Sequence, residues 1–462
     1  MGLERYIKTD VDTSESANLA AKTTVPIALV GSSPQGTPGT LYGPYTSKQA
    51  CLDAIGSDFS KGNLLPLAVE EIFRVNNKQK IYIVPVSNND FGSYSDTMAV
   101  AVSGAVVENL VQVEVSDTTG LVEGTTHVEL ENASGDKNLR KISTVDDSTH
   151  FSVYIPLDKT FAVGSTVKDV EVATAGELVT ARASIANQDF EIYLEQSYGS
   201  TYMELAQTLL DSQDDEELFS LGFFGQEEGK SFADMVVDST AVNSKRILQV
   251  GGICKQTDSD SYQQGFISAV KAGATYGYQK GKLAGENKAV ISMNDISLSN
   301  ASEVVDGEDG GKITNDDLSV IIEGRVTGLK SRVIQATSAV RIYQMVTSWT
   351  TDVNSNPSTL YSNISRISVE DYMRKDIAND FDLWTTELTT VGDPLTTRDE
   401  DLEKIKAHIE AVLSGYSFLI SFSVEAIADP DVTNAVNITI IYKDVDAAQQ
   451  ITFIFTRQVT LA

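Results

Sequence analysis

The 462-residue chain is poor in the residues that carry chemistry. It has two cysteines, Cys51 and Cys254, far apart in sequence. A disulfide framework is therefore excluded, and two reduced thiols in a cytoplasmic product are expected. The opening MGLERYIKTDVDTSES lacks the apolar core of a signal peptide. No run approaches the roughly 20 apolar residues of a membrane-spanning helix. Sites such as Asn132-Ala133-Ser134 thus carry no glycosylation meaning, and Tyr6 stands where myristoylation needs Ser or Thr. Basic charge is also scarce: 35 Lys and Arg face 65 Asp and Glu, a net charge of −30. That balance argues against direct binding to nucleic acid or to a membrane surface, both of which need clustered cations. It favours solubility and a basic partner surface.

Catalytic motifs are missing as well. His127, His150 and His408 are isolated in sequence, with no HxxxH or CxxC pair, so no metal is expected. The stretch IALVGSSPQGTPGTLYGPY spaces Gly31 and Gly36 as a phosphate loop would. Thr37-Pro38 then replace the Lys that grips phosphate, and Pro38 removes a backbone N–H. An exposed, proline-stiffened loop between a strand and a helix is expected there. In Gly310-Gly311-Lys312-Ile313-Thr314, Asp306 replaces the first glycine and Ile313 the magnesium-binding hydroxyl. Of the acid clusters Asp214 to Glu217 and Asp306 to Asp309, the second fails calcium-loop spacing, and both read as solvated loop or helix-start charge. GxSxG is absent. No catalytic residue, cofactor or metal site is expected, and the chain does not read as an enzyme.

What the sequence does have is alternating strand and helix signals. Residues 1–24, ahead of the first of these signals, are expected to form an N-terminal arm. Residues 25–93 read as α/β: a strand from Val25, a helix from Ser47 stopped by Gly56, a helix over 64–75, and the strand KIYIVPV. Residues 94–182 change to short alternating runs such as NLVQVEV and HFSVYI between turn residues, which predicts an inserted β-sandwich or barrel. The α/β pattern returns over 183–314, with Leu205, Leu209, Leu210 and Tyr278 expected on inner helix faces. Residues 299–314 look like a loop or domain boundary. Residues 315–462 read as α+β, with a turn near Thr337-Ser338, a helix starting near Ser368 and Asp371, and an amphipathic helix over 399–414 ended by Gly415.

Both ends carry strand patterns. Val436, Ile438, Ile440 and Tyr442 alternate on one face of VNITIIY. Ile451, Phe453, Phe455, Val459 and Leu461 do the same in the last segment, interrupted by Arg457. Leu3, Arg5, Ile7 and Val11 form a weaker alternation at the front. Such strands must pair with something. Two readings stand side by side: a hairpin of 436–442 with 451–461, or strands added to the sheet of a neighbouring molecule.

Three ordered stretches carry a resemblance: PIALVGSSPQGTPGTLYGPY onward to KIYIVPV, then SAVRIYQMVTSW to the following helix, then the helix 399–414 with Gly415 and the closing strands. Together they resemble the contractile tail sheath proteins of bacteriophages, with relatives in R-type pyocins and type VI secretion sheaths. Asn76-Asn77-Lys78 and Val346-Thr347-Ser348-Trp349 depart from the family's usual residues. The resemblance implies an α/β sheath core with an inserted all-β domain and terminal strands exchanged between subunits. It implies self-assembly as stacked six-fold rings around a tail tube protein, with baseplate and tail terminator proteins as further partners. The place implied is a virion tail assembled in the bacterial cytoplasm. Leu3 to Val11 and Ile451 to Leu461 match the arms, and Val436 to Tyr442 the acceptor sheet. The competing expectations are another structural virion protein, or an α/β enzyme with an inserted β domain.

Overall fold

A computed structural model of the chain describes residues 25–458, apart from 59, 103–110, 172–175, 216–217, 287, 291, 335–336, 353, 392–394, 431–434 and 445–450. The arm residues Leu3, Arg5, Ile7 and Val11, and Val459 and Leu461, lie outside the described residues.

The first apolar run forms β1 (Ile27–Gly31), every residue of which is buried. It is followed by β2 (Tyr42–Tyr45), α1 (Lys48–Ile55), α2 (Leu65–Val75) and β3 (Ile81–Pro85). Gly56 ends α1 at φ 84°, a left-handed conformation open to glycine. Pro66 sits in the first turn of α2, where its missing N–H has no partner to lose.

An antiparallel sheet comes next: β4 (Asp90–Thr97), β5 (Val111–Glu114), β6 (His127–Glu131), β7 (Lys137–Val145), β8 (His150–Val153) and β9 (Thr166–Glu171), in the order β4-β9-β6-β7-β8-β5. Its core of Val113, Val128, Leu130, Ile142, Phe151 and Val167 comes from alternate positions, as a sheet buried on one face requires. Its strands run from Asp90 to Glu171. Residues 176–185, placed by sequence partly within this all-β stretch, instead form a helix that packs on β1 and β3.

The chain then returns to β1. It forms α3 (Gly176–Ile185), β10 (Ile192–Glu195), α4 (Ser200–Asp215), β11 (Leu221–Gly225), α5 (Phe232–Val242) and β12 (Ile247–Gly251). A small sheet follows, β13 (Ile253–Gln256), β14 (Ser261–Tyr262) and, after α6 (Gly265–Ala284), β15 (Glu303–Val305). Then come α7 (Asn315–Glu323), β16 (Thr327–Ile334) and β17 (Thr337–Gln344). The main sheet has the order β17-β16-β12-β11-β10-β1-β3-β2. Its six central strands are parallel and the two edge strands antiparallel. Central strands buried on both faces explain the unbroken apolar runs read from the sequence. α1, α2 and α6 cover one face; α3, α4, α5 and α7 lie side by side over the other.

The last part contains α8 (Ile364–Thr390), α9 (Asp399–Ser414) and the antiparallel sheet of β18 (Leu419–Ala428), β19 (Ala435–Asp444) and β20 (Ile451–Gln458). The protein is thus a mixed α/β structure with several sheets.

Some expectations are corrected. Leu205 is 45% exposed, because Met203, Ala206, Leu209 and Leu210 set the inner stripe of α4. Tyr278 is 38% exposed, on the outer side of α6 between the buried Gly277 and Lys280. Residues 299–314 are no boundary loop: β15 pairs with β13, and Val304 and Val305 are buried. The two strands expected on either side of a turn near Thr337-Ser338 are present as an antiparallel pair, with β17 beginning at Thr337 itself. α8 starts at Ile364 with Asn363 as its cap, so Ser368 and Asp371 lie buried inside the helix.

Candidate functional site: the terminal sheet and its attachment

The glycine loop after β1 is engaged by the protein itself. The Ser32 N–H donates to Gln196 Oε1 at 2.9 Å, and Ser32 Oγ donates to the Gly62 carbonyl at 2.9 Å. Ser32 and Ser33 are buried, so the start of the loop is less exposed than its composition suggested. The acid clusters are also partly structural. Asp306 accepts from Gln226 Nε2 at 2.7 Å, and burial raises its carboxyl to about 6. Among the described residues, no group of three or more His, Cys, Asp or Glu is placed to hold a metal ion. Both cysteines are buried as free thiols, and burial pushes Cys51 up to about 12. The histidines stay apart: His150 Nδ1 lies 2.8 Å from Asp147, and His408 Nε2 lies 2.5 Å from Asp380. Burial, reinforced by nearby Lys141, lowers His127 to about 4.

The terminal sheet is arranged differently. Val436, Ile438, Ile440 and Tyr442 are all 1% exposed or less. Together with Val424 of β18 they pack on Met373, Ile377 and Phe381 of α8 and Ile405, Ile409 and Leu413 of α9. Each fully buried side chain of this kind contributes about 1.5–3 kcal/mol. The predicted acceptor residues therefore fix β19 onto the helices, and β19 offers a partner strand its backbone edge. β20 occupies that edge: Ile451, Phe453 and Phe455 stand opposite Tyr442, Ile440 and Ile438. Within one chain, the hairpin is the pairing present. β18 and β20 are the edge strands. β18 is ten residues long, has no proline, and exposes Ile420 and Ile427. Long unprotected edges of this kind are templates for pairing with another chain.

A buried ionic joint ties this unit to the main sheet. Arg246, just before β12, is 1% exposed. Its Nη1 and Nη2 meet the two oxygens of Asp371 on α8 at 2.6 and 2.8 Å, and Nη2 also reaches Asp214 at the end of α4 at 2.5 Å. Burial alone would raise the Asp214 carboxyl, but Arg246, Lys245 and Arg374 outweigh it and hold it low. Asp214 is thus no solvated charge. A second pair of contacts joins Glu191 to Lys280 at 2.7 Å and to Lys375 of α8 at 3.0 Å. Sequence reading missed this joint. Arg246 at the head of an apolar strand was visible, but nothing local pointed to Asp371.

No family model matches the sequence, and no curated protein matches it. Solved structures do. A sheath tail protein from Listeria innocua superimposes with a TM-score of 0.57 at 12% identity, covering 95% of this chain and 98% of that one. The chain has the sheath tail protein fold. A second sheath tail protein, from Desulfitobacterium hafniense, gives a TM-score of 0.55 at 12% identity over 94% and 96% of the two chains. The match spans nearly the whole of both solved chains.

Proposed function

We propose that this chain is the structural subunit of a contractile tail sheath, polymerising as stacked hexameric rings around a tail tube. The observation that carries the reading is the end-to-end fold match to two sheath tail proteins. The six-stranded sheet is then an outward-facing insertion between β3 and α3. In the assembly, β20 leaves its own β19 and adds to β19 of a neighbour in the same register, so the ladder of Tyr442 with Ile451 and Ile438 with Phe455 is kept. The arm carrying Leu3, Arg5, Ile7 and Val11 adds to the bare edge of the same sheet. Val459 and Leu461 extend the exchanged strand.

Contraction follows from such tethers. Main-chain ladders hold subunits together while the cores move as rigid bodies from an extended array to a shorter, wider one. The energy is stored at assembly, so no nucleotide is spent, and the tube is driven through the host envelope. The partners are other copies of the chain, the tube, and the baseplate and terminator proteins that start and end the array. The test is coexpression with the tube protein of the same tail. Co-sedimentation of a regular helical coat on the tube is expected. A chain that stays monomeric at high concentration with the tube present would refute the proposal.

A further inference from the structure

The outer surface of the helix row α3, α4, α5 and α7 has one sign of charge. On these four helices Glu204, Asp211, Asp234, Asp316 and Glu323 are exposed, and the single basic residue is Arg182. That arginine is buried and engaged by Glu195. The same surface exposes apolar side chains that a solvated helix face does not need: Val179 at 57%, Leu205 at 45%, Val237 at 67% and Val320 at 54%. Between α3 and α4, Val179 and Leu205 open into a groove of about 360 Å³ lined also by Ala183, Ala186, Leu209 and the Glu195-bound Arg182. The exposed Glu204 and Asp211 of α4 flank this apolar groove, which calls for a cationic partner bearing an apolar or aromatic anchor.

The chain carries such a surface at the other end of its main sheet. In the β16–β17 hairpin, Lys330 stands opposite Arg341 and Arg332 opposite Ala339. Alternation places Lys330, Arg332 and Arg341 on one face, and Tyr343 is the residue left without a partner where the register shifts between Gly328 and Leu329. Tyr343 is 42% exposed and Lys330 Nζ lies 5.6 Å from its ring centre. Asp295 pairs with Arg332 at 3.1 Å, and the face keeps a cationic excess. The hairpin ends the strand order at β17, four strand spacings from β10, or roughly 20 Å from the groove at about 4.8 Å per strand. Lys330 donates to Asn315 of α7 at 2.7 Å, but the hairpin face cannot reach the α3–α4 groove of its own molecule.

We propose that the β16–β17 hairpin of one copy docks in the α3–α4 groove of the next, Tyr343 entering the groove and Lys330 and Arg332 facing Glu204 and its acidic neighbours. The two patches differ, so the contact is head-to-tail and propagates, rather than closing a symmetric dimer. It rests on the self-assembly in the reading above, and adds a side-chain contact independent of the terminal strands.

The test uses the full chain carrying Leu205→Cys and Tyr343→Cys together. Both positions are exposed, and native Cys51 and Cys254 are fully buried. Mild oxidation is expected to give a ladder of dimers, trimers and higher species, with each single variant giving dimers at most. In parallel, Glu204→Lys or Arg332→Glu alone should raise the concentration needed for assembly by about tenfold, and the pair together should restore it. Regular tubes with no ladder, or a closed dimer only, would overturn this contact and leave the sheath reading intact. So would charge reversals without effect. A ladder from a chain that never forms tubes would support the contact and refute the sheath reading.

Discussion

Removing the Arg246 guanidinium should uncouple the terminal unit from the main sheet. Arg246→Met preserves most of the side-chain volume but leaves Asp371, itself fully buried, without its bidentate cation. Arg374 reaches Asp214 at 3.5 Å and Glu370 at 3.8 Å, so it is committed elsewhere. Breaking one side of a buried pair costs about 3–5 kcal/mol, and the upper half of that range applies here. Asp371→Leu should cost less, about 3 kcal/mol, because Arg246 keeps Asp214 at 2.5 Å. The double variant replaces the pair by apolar groups and should be more stable than Arg246→Met alone, since the stranded charge is gone. Urea unfolding followed by the fluorescence of Trp384, in a Trp349→Phe background, reports α8 directly. Single variants that each lose less than about 1 kcal/mol, or a double variant whose loss is the sum of the two, would refute the reasoning.

Protonation gives opposing signatures. His127 is lowered to about 4 from an ordinary 6.5, so the unfolded chain binds more protons between those values and stability rises with pH across that window. Asp306 is raised to about 6 from 3.8, so the folded chain binds more protons there and stability falls as pH rises from 3.8 to 6. Unfolding series from pH 4 to 7 should show that His127→Gln removes the first slope and Asp306→Asn the second; slopes unchanged by either would contradict these assignments. Gly265→Ala should abolish soluble folded protein, because an added Cβ would lie 1.9 Å from the Gln226 carbonyl oxygen, a backbone clash that cannot relax. Recovery of a stable, folded Gly265→Ala protein would show that this close approach is not needed. Cys51 and Cys254 should resist thiol reagents at neutral pH and react only on unfolding, and rapid native labelling would refute their burial.

Short-range signals were legible in the sequence, and long-range ones were not. KIYIVPV became β3, RILQVGGI became β12, and Asp399–Ser414 became α9, because each carries its own periodicity and stop residue. Leu205 was misplaced because α4 offers several leucines, and only packing decides which phase is buried. β15 was hidden in a Gly- and Asp-rich stretch: it is three residues long and exists through its pairing with β13. The alternation of Val436, Ile438, Ile440 and Tyr442 was readable, but not that α8 and α9 cover that face and leave the strand's backbone edge as the surface on offer. Arg246 and Asp371 illustrate the limit: partners 125 residues apart leave no local pattern.

Negative-stain electron microscopy of the purified chain, intact and lacking residues 451–462, tests the central claim most directly. The account predicts regular tubes of stacked rings from the intact chain and their loss on truncation, because β19 then has no strand to receive. Small particles from the intact chain at every concentration, even with a tail tube as template, would contradict it.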